Sequence, residues 1–169
     1  MITLEKRIII INGMGGSGKD TFVEFCAKYA KVMNVSSVDK VKEAAKILVG
    51  WDETKDEKSR KLLVDLKRLS IEYNDYPTKY ILQSSKEFLT NDKDILFIHI
   101  REISEIEKIK KLLDAETLLL SNPRVKKITS NSSDANVDNY NYDIHIENSG
   151  TLEELEQKAI EFIKVGKIK

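Results

Sequence analysis

The sequence contains little cysteine and little proline, and it has no excess of either charge. Among its 169 residues there are one cysteine, Cys26, and two prolines, while Lys plus Arg and Asp plus Glu number 28 each. A single cysteine excludes an internal disulfide. A net charge of zero argues against bulk electrostatic attraction to nucleic acid or to an anionic membrane. We therefore expect neither of these as a partner.

Long apolar runs are also lacking. The run at residues 8–11 is too short for the core of a signal peptide, and no run approaches the roughly 20 residues that span a bilayer. We therefore expect a cytoplasmic protein. The length suits one domain over residues 1–169 with its own hydrophobic core, and no cluster of cysteine and histidine in the sequence indicates zinc.

The sequence does contain a glycine-rich loop that directly follows a strand-like apolar run. Residues 8–12 read Ile-Ile-Ile-Ile-Asn, and residues 13–19 fit the phosphate-loop pattern G-x-x-x-x-G-K. Glycines let the backbone turn its N–H groups around an anion, Lys19 adds a positive charge, and the next helix points its N-terminus at the same anion. We predict a nucleotide-phosphate site. Its binding residues are Gly13, Gly15, Gly16, Ser17, Gly18, Lys19, Asp20 and Thr21.

Asp20 stands where this pattern usually has a serine or threonine whose hydroxyl holds Mg²⁺, and Thr21 follows it. A carboxylate can also hold Mg²⁺, directly or through water, because this ion prefers oxygen ligands and keeps several waters. The alternative is that Asp20 only interacts with the positive end of the helix. Both roles stay open, and Asp20 and Thr21 are the predicted metal-binding residues.

Strand-like and helix-like segments alternate along the chain. The predicted strands are residues 7–12, 34–38, 94–101, 116–121 and 142–147, and the predicted helices are 18–33, 39–50, one through 62–73, 79–90, 103–113 and one capped by Thr151. The alternation predicts an α/β fold with right-handed crossovers and a parallel sheet that helices cover on both faces. Tyr73 continues a leucine stripe and is expected in the core.

The ends of the predicted strands indicate where a ligand would bind. In parallel sheets, ligands lie beyond the carboxyl ends of the strands. The informative ends are the glycine loop, residues 38–40 and residues 99–102. Arg101 follows a buried strand directly and is therefore expected to reach the ligand. Residues 122–139 are rich in Asn and Ser, and a loop of this length in a compact domain is usually functional.

Four segments together resemble one group of enzymes. The loop ends in Ser-Gly-Lys-Asp-Thr at residues 17–21. Residues 38–44 read Val-Asp-Lys-Val-Lys-Glu-Ala, residues 50–63 begin with Gly-Trp-Asp, and residues 143–155 contain Asn-Ser-Gly-Thr-Leu. These segments resemble the P-loop nucleoside monophosphate kinase-like group, most closely phage-type deoxynucleoside monophosphate kinases, with animal-type phosphomevalonate kinases as relatives. The resemblance implies a three-layer P-loop NTPase fold with a five-stranded sheet.

The resemblance also implies roles for individual residues. ATP and Mg²⁺ would be the cofactors, with Lys19 on the terminal phosphates. Residues 51–90 would form a helical acceptor-binding region, and residues 122–139 a short lid. The implied catalytic residues are Lys19, Lys42, Arg101 and Arg124, and the implied acceptor-binding residues are Asp39, Lys42, Trp51, Arg60 and Arg101. Trp51 either stacks on a base or packs against the pocket wall.

The sequence departs from the group's pattern at one position. These enzymes often carry Asp-x-Arg where this chain has His99-Ile100-Arg101. A histidine does not replace a carboxylate that binds Mg²⁺ through water. Glu102 and Asp39 are the alternatives for that role.

The leading prediction is an ATP-dependent kinase for a small phosphorylated acceptor, in particular a (deoxy)nucleoside monophosphate. Two alternatives stay open: a phosphomevalonate-like metabolite kinase, and a nucleotide-binding regulatory protein with little kinase activity, which His99 motivates. A GTPase switch is disfavoured, because residues 91–94 only approach the guanine motif Asn-Lys-x-Asp. A homodimer also stays open.

Overall fold

The computed structural model describes residues 5–126 and 136–166. In chain order they form β1 (Arg7–Asn12), α1 (Lys19–Tyr29), β2 (Val32–Ser36), α2 (Asp39–Val49), α3 (Glu57–Asn74), α4 (Tyr76–Thr90), β3 (Ile95–His99), α5 (Ile103–Leu113), β4 (Glu116–Ser121), β5 (Ile144–Glu147) and α6 (Leu152–Val165). A short 3₁₀ helix, Val137–Asn139, precedes β5. None of the helices in these two ranges is long and apolar enough to cross a bilayer.

The strands form one parallel sheet in the order β2-β3-β1-β4-β5. β1 lies in the centre, and its Ile11 stands opposite His99 of β3 on one side and Leu118 of β4 on the other. Because all strands run in the same direction, the segments that follow them meet along one edge of the sheet. The parallel, five-stranded sheet expected from the sequence is therefore confirmed.

Two helical layers cover the sheet. Ile9 and Ile11 of β1 face the layer of α1 and α6, where the rings of Phe22 and Phe162 lie 5.6 Å apart, edge to face. Ile10 faces the opposite layer, which α4 and α5 form. All three isoleucines are completely buried, and full burial of one such side chain contributes roughly 1.5–3 kcal/mol. The uninterrupted isoleucine run thus reflects burial on both faces.

α3 stands apart from these layers and contacts α2 and α4. Leu62 and Leu66 are half-buried, but Leu69 is 51 % exposed and Tyr73 is 88 % exposed. The expectation that Tyr73 lies in the core is therefore wrong. A leucine stripe at helical spacing identifies the face that a helix can bury, but it does not say how much of the helix finds a partner.

α1 ends four residues earlier than predicted, and β2 begins two residues earlier. The backbone of Ala30 is extended. Lys31 exchanges two hydrogen bonds with Asp94: its N–H donates to the Asp94 carboxylate at 2.8 Å, and its carbonyl oxygen accepts from the Asp94 N–H at 2.7 Å. This long-range pair sets the start of β2 beside β3, and local periodicity does not reveal it.

The remaining predicted helices and strands are present with bounds that differ by up to three residues. α4 begins at Tyr76, earlier than expected, because Pro77 occupies its first turn, where proline is tolerated. β3 ends at His99, two residues before the expected end. α6 begins after Thr151, whose hydroxyl accepts a hydrogen bond from the Glu154 N–H at 3.2 Å, as predicted.

Candidate functional site

The glycine-rich loop leaves β1 at a point where only glycine fits. A Cβ atom on Gly13 would lie 2.4 Å from the carbonyl oxygen of Leu120 in β4 and 2.7 Å from Oγ of Ser17. Both distances are far inside van der Waals contact. The loop then folds back on itself, since the Ser17 N–H donates to the carbonyl oxygen of Met14 at 3.0 Å. A tight loop is therefore fixed at the carboxyl end of β1.

Gly18 makes the turn from the loop into α1. Its φ of +99° lies in the left-handed region, which side chains rarely adopt, and a Cβ there would lie 2.6 Å from Nδ2 of Asn148. The same amide donates a hydrogen bond to the carbonyl oxygen of Ser17 at 3.0 Å. Asn148 follows β5, so the edge of the sheet helps to hold the loop. A Cβ on Gly15, by contrast, would meet nothing within 4 Å.

The loop offers polar groups to a ligand. Ser17 is 1 % exposed, and within the described ranges its Oγ has no hydrogen-bond partner, although buried polar atoms in proteins are normally paired. The N-terminus of α1 lies here, with Lys19 as its first residue, and the N–H groups of a first helical turn favour an anion. In shape, donors and charge, these residues fit the phosphate chain of a nucleotide.

His99 ends β3 beside this loop, in surroundings that keep its ring neutral. The Nε2–H donates to Oδ1 of Asn34 at 2.6 Å. Burial, together with the positive charges of Lys19 and Lys42, lowers the pKa of His99 to about 4. Lys19 belongs to α1 and Lys42 to α2. Cations from both helices therefore lie near His99, and we term the region around Lys19, Lys42 and His99 the crevice. The catalytic roles of the two lysines stay predictions.

Two predicted site carboxylates lie at the same crevice. Asp20 and Asp39 act on His99 in the opposite sense and raise its pKa, but burial outweighs them. Asp20 is exposed on the first turn of α1, next to Thr21. Carboxylate and hydroxyl oxygens suit Mg²⁺, which takes few protein ligands and keeps several waters. The first turn of α1 thus offers oxygen atoms of the kind that Mg²⁺ prefers, and the metal-binding role of Asp20 and Thr21 stays a prediction.

Asp39 is held in place at the carboxyl end of β2. Its Oδ2 accepts hydrogen bonds from the Ser36 N–H at 2.8 Å and from the Tyr80 hydroxyl at 3.1 Å. Burial and the negative charge of Asp39 raise the pKa of Tyr80, so the phenol stays a donor at neutral pH. Tyr80 of α4 thus braces the start of α2. The sequence assigned Asp39 to acceptor binding and gave no sign of this bracing contact.

Arg101 lies beyond the end of β3, beside the loop. Its side chain is exposed, and its carbonyl oxygen accepts a hydrogen bond from Nδ2 of Asn12 at 3.2 Å. Asn12 is completely buried, and its Oδ1 accepts from the Gly13 N–H at 2.8 Å. One amide side chain therefore joins the phosphate loop to the segment that carries Arg101. Asn12 is not among the predicted site residues, although its place between the isoleucine run and the first glycine is a signal in the sequence.

A partly buried ion pair flanks the crevice on the side of β2. Nζ of Lys67 in α3 lies 2.7 Å from Oε2 of Glu105 in α5, and it donates to Oγ of Ser37 at 3.2 Å. The two charged side chains are only 16 % and 12 % exposed. The other carboxylate oxygen of Glu105 is buried and has no hydrogen-bond partner in the part of the chain that is described. No sequence signal identifies this pair, because its members lie 38 positions apart on separate helices.

Arg124 lies on the opposite side of the loop, toward β5. Its guanidinium donates to the carbonyl oxygen of Gly150 at 3.1 Å and to Oδ1 of Asn122 at 3.3 Å. A cavity of about 270 Å³ lies between the loop and the ends of β4 and β5. Its lining includes Met14, Ser17, Leu119, Asn122, Val125 and Glu147. Arg124 thus borders this side of the loop, and residues 127–135 of the predicted lid lie outside the described ranges.

The other two predicted acceptor-binding residues lie in or before α3. Trp51 is half-buried, and its indole N–H donates to the carbonyl oxygen of Thr54 at 3.1 Å, within its own turn. Arg60 is exposed on α3. Both belong to the helical region at residues 51–90, and their roles toward an acceptor stay predictions.

Several solved structures resemble this chain over nearly its whole length. TT1252 from Thermus thermophilus has a TM-score of 0.55 at 19 % identity, over 95 % of this chain and 98 % of that one. The tunicamycin resistance protein of Deinococcus radiodurans has a TM-score of 0.52 at 16 % identity, over 94 % and 96 %. Shikimate kinase from Aquifex aeolicus has a TM-score of 0.50 at 12 % identity, also over 94 % and 96 %.

No protein-family model matches the sequence, and no curated protein matches it significantly. At these levels of identity, the likeness to solved structures concerns the fold and not the activity. Together with the parallel sheet and the glycine loop at the end of its central strand, the likeness confirms the α/β, three-layer P-loop NTPase fold expected from the sequence, which this chain shares with shikimate kinase.

Proposed function

We propose that this protein transfers the γ-phosphoryl group of ATP to a small phosphorylated acceptor, in particular a (deoxy)nucleoside monophosphate. The observation that carries the proposal is the phosphate loop. A side chain at Gly13 or Gly18 would clash with neighbouring atoms, and Lys19 is the first residue of α1. Such a loop suits the phosphate chain of a nucleotide. The loop adjoins a crevice that a second cation, Lys42, also reaches.

Phosphoryl transfer between two anions needs cations that bring them together. Lys19 and Lys42 both lie close enough to His99 to lower its pKa, and Arg101 follows His99 at the same strand end. We assign Lys19 to the terminal phosphates of the donor, and Lys42 and Arg101 to the acceptor phosphate. A guanidinium binds phosphate through two parallel hydrogen bonds, so Arg101 is expected to orient the acceptor.

Asp20 and Thr21 are the residues that would hold Mg²⁺. Bound there, Mg²⁺ would neutralise part of the negative charge on the terminal phosphates of the donor. The chain contributes oxygen ligands at the first turn of α1. His99 is not assigned to this set, because Mg²⁺ prefers oxygen ligands and the histidine ring offers only nitrogen.

The choice of acceptor rests on the resemblance to phage-type deoxynucleoside monophosphate kinases and on the helices beside the crevice. α2 carries Lys42, and α3 reaches Ser37 and Glu105 through Lys67. One buried carboxylate oxygen of Glu105 has no hydrogen-bond partner among residues 5–126 and 136–166. It is able to accept a hydrogen bond from an N–H or O–H group, and nucleosides carry both. Shikimate kinase, whose name states a small-molecule acceptor, shares the fold, which supports a small acceptor here.

ADP formation over a panel of acceptors tests the proposal. The panel contains nucleoside and deoxynucleoside monophosphates and phosphorylated metabolites without a base, each with ATP and Mg²⁺. We expect turnover with at least one monophosphate, a loss of about 10²-fold or more in Lys19→Met, and no loss in the control Lys111→Met, which changes an exposed lysine of α5. Normal turnover in Lys19→Met would refute the loop assignment. ATP binding without ADP formation on any acceptor of the panel would refute the proposed choice of acceptor.

A nucleotide-binding regulatory protein with little kinase activity is the second candidate. The observation in its favour is His99, a neutral ring at the strand end where the kinases that the sequence resembles often carry an aspartate. Calorimetry with ATP and Mg²⁺, run beside the acceptor panel, separates the two candidates. Tight ATP binding without transfer in the natural sequence, and transfer gained in His99→Asp, would favour the regulatory protein.

A further inference from the structure

The side chain of Asn12 connects three separate segments of the chain. It is completely buried at the end of β1. Its Oδ1 accepts from the Gly13 N–H at 2.8 Å, while its Nδ2 donates to the carbonyl oxygen of Arg101 at 3.2 Å and to the hydroxyl of Tyr142 at 2.9 Å. Both N–H groups of the amide and its oxygen are therefore engaged. The three partners lie at the start of the phosphate loop, after β3 and before β5.

Tyr142 fixes the direction in which this amide points. The Tyr142 hydroxyl donates its own hydrogen to the carbonyl oxygen of Val137 at 2.8 Å, so it meets Asn12 as an acceptor. Burial raises the pKa of Tyr142, and the phenol keeps that hydrogen at neutral pH. With a donor at Gly13 and acceptors on the other two sides, only one orientation of the Asn12 amide satisfies every partner.

We propose that Asn12, oriented by Tyr142, is a positioning residue that sets the phosphate loop in register with Arg101. The inference rests on the proposed phosphoryl transfer, because it concerns the alignment of the donor with the acceptor. Gly13 is the first residue of the loop, and Arg101 is held through its own backbone. A rotation of the Asn12 amide would therefore displace both sides of the transfer at once. Displacements of about 1 Å at such positions are able to cost orders of magnitude in rate.

Tyr142→Phe tests this role by deleting one oxygen atom. Its matched control is Tyr140→Phe, because the two rings pack edge to face with centroids 5.0 Å apart, while the Asn12 amide donates to the hydroxyl of Tyr142. At saturating ATP and acceptor we expect Tyr142→Phe to lower kcat by about two- to tenfold, the value of one lost hydrogen bond. The KM for ATP should change less than about twofold, and Tyr140→Phe should leave both constants unchanged.

Amide hydrogen exchange at Gly13 supplies a second readout that needs no acceptor. The Gly13 N–H is bonded to Oδ1 of Asn12, so its exchange should accelerate in Tyr142→Phe and not in Tyr140→Phe. The more severe variant Asn12→Asp places an oxygen against the Arg101 carbonyl and is expected to lower kcat further. Should it fail to fold, Tyr142→Phe still decides the matter.

The outcomes separate this inference from the proposed function. A folded Tyr142→Phe variant with unchanged kcat overturns the positioning role, whether or not Gly13 exchange has accelerated, since faster exchange alone is what a structural role predicts. A natural sequence that phosphorylates no acceptor would instead refute the proposed function, and the role of Asn12 in transfer with it. Reduced kcat together with faster Gly13 exchange, both confined to Tyr142→Phe, supports the inference.

Discussion

Replacing Gly13 by alanine is expected to damage both stability and nucleotide binding. The added Cβ would lie 2.4 Å from the carbonyl oxygen of Leu120, whereas favourable heavy-atom contacts begin near about 3.5 Å. The loop and β4 would therefore have to separate by about 1 Å. The obstructing atom belongs to the backbone of β4, which pairs with β1 through Glu116 to Leu119 and with β5 at Leu120, so it cannot swing aside as a flexible side chain would.

The expected magnitude follows from the cost of overpacking. Inserting one methyl group into a well-packed region typically costs about 1–3 kcal/mol. The added Cβ cannot shift away from Leu120 toward Ser17, because the Ser17 Oγ lies only 2.7 Å from it. We expect the free energy of unfolding to fall by about 2 kcal/mol. A displaced loop also misdirects its N–H groups, so ATP should bind at least about tenfold more weakly, which corresponds to about 1.4 kcal/mol.

Gly15→Ala is the matched control. A Cβ at Gly15 would meet nothing within 4 Å, and the backbone there has no positive φ. Its free energy of unfolding should stay within about 0.5 kcal/mol of the original value. Urea denaturation measures the stabilities, and calorimetry measures the ATP affinities. Equal losses of stability in both variants, or a Gly13→Ala protein with unchanged stability, would refute the packing argument.

Three further predictions concern the core, the ion pair and His99. Phe22→Ala should lower the free energy of unfolding by about 3–5 kcal/mol in urea, because the ring is completely buried; a loss below about 1 kcal/mol would contradict the described core. Lys67→Met removes the cation from Glu105 and should cost about 3 kcal/mol, and Lys67→Met combined with Glu105→Met should recover most of it in a double-mutant cycle. His99 has its pKa lowered from 6.5 to about 4 by folding, so the unfolded chain binds the extra proton between these values. Stability should therefore fall by up to about 3 kcal/mol as pH drops from 6.5 to 4, with a shallower fall in His99→Gln.

The centre of the fold could be predicted because its sequence signal is strong and local. Four consecutive isoleucines cannot alternate between core and solvent, so residues 8–11 require burial on both faces and hence helices on both sides. A glycine loop that begins at Gly13, two residues after this run, must then lie at the carboxyl end of that strand. The structure agrees, with Ile9, Ile10 and Ile11 completely buried and Gly13 packed against β4.

The contacts around the site could not be predicted because they join distant residues of ordinary type. Lys67 and Glu105 each look like a solvated helix charge in the sequence, and only the fold brings them together as an ion pair. Tyr80 gives no sign that it braces Asp39. Residue type shows which side chains are able to bind a phosphate or a metal. Which of them reach one another depends on how the helices pack, and no local pattern encodes that.

The neutral state of His99 bears on the kind of ligand that the crevice suits. Burial contributes most to its lowered pKa, and the ammonium groups of Lys19 and Lys42 add to it. The chain therefore avoids a third positive charge at the point where two helices already bring cations together. An anion that both lysines share would offset their repulsion, and it would raise the pKa of His99 toward its ordinary value. Because such a ligand binds the folded chain only, it would also stabilise the fold by mass action.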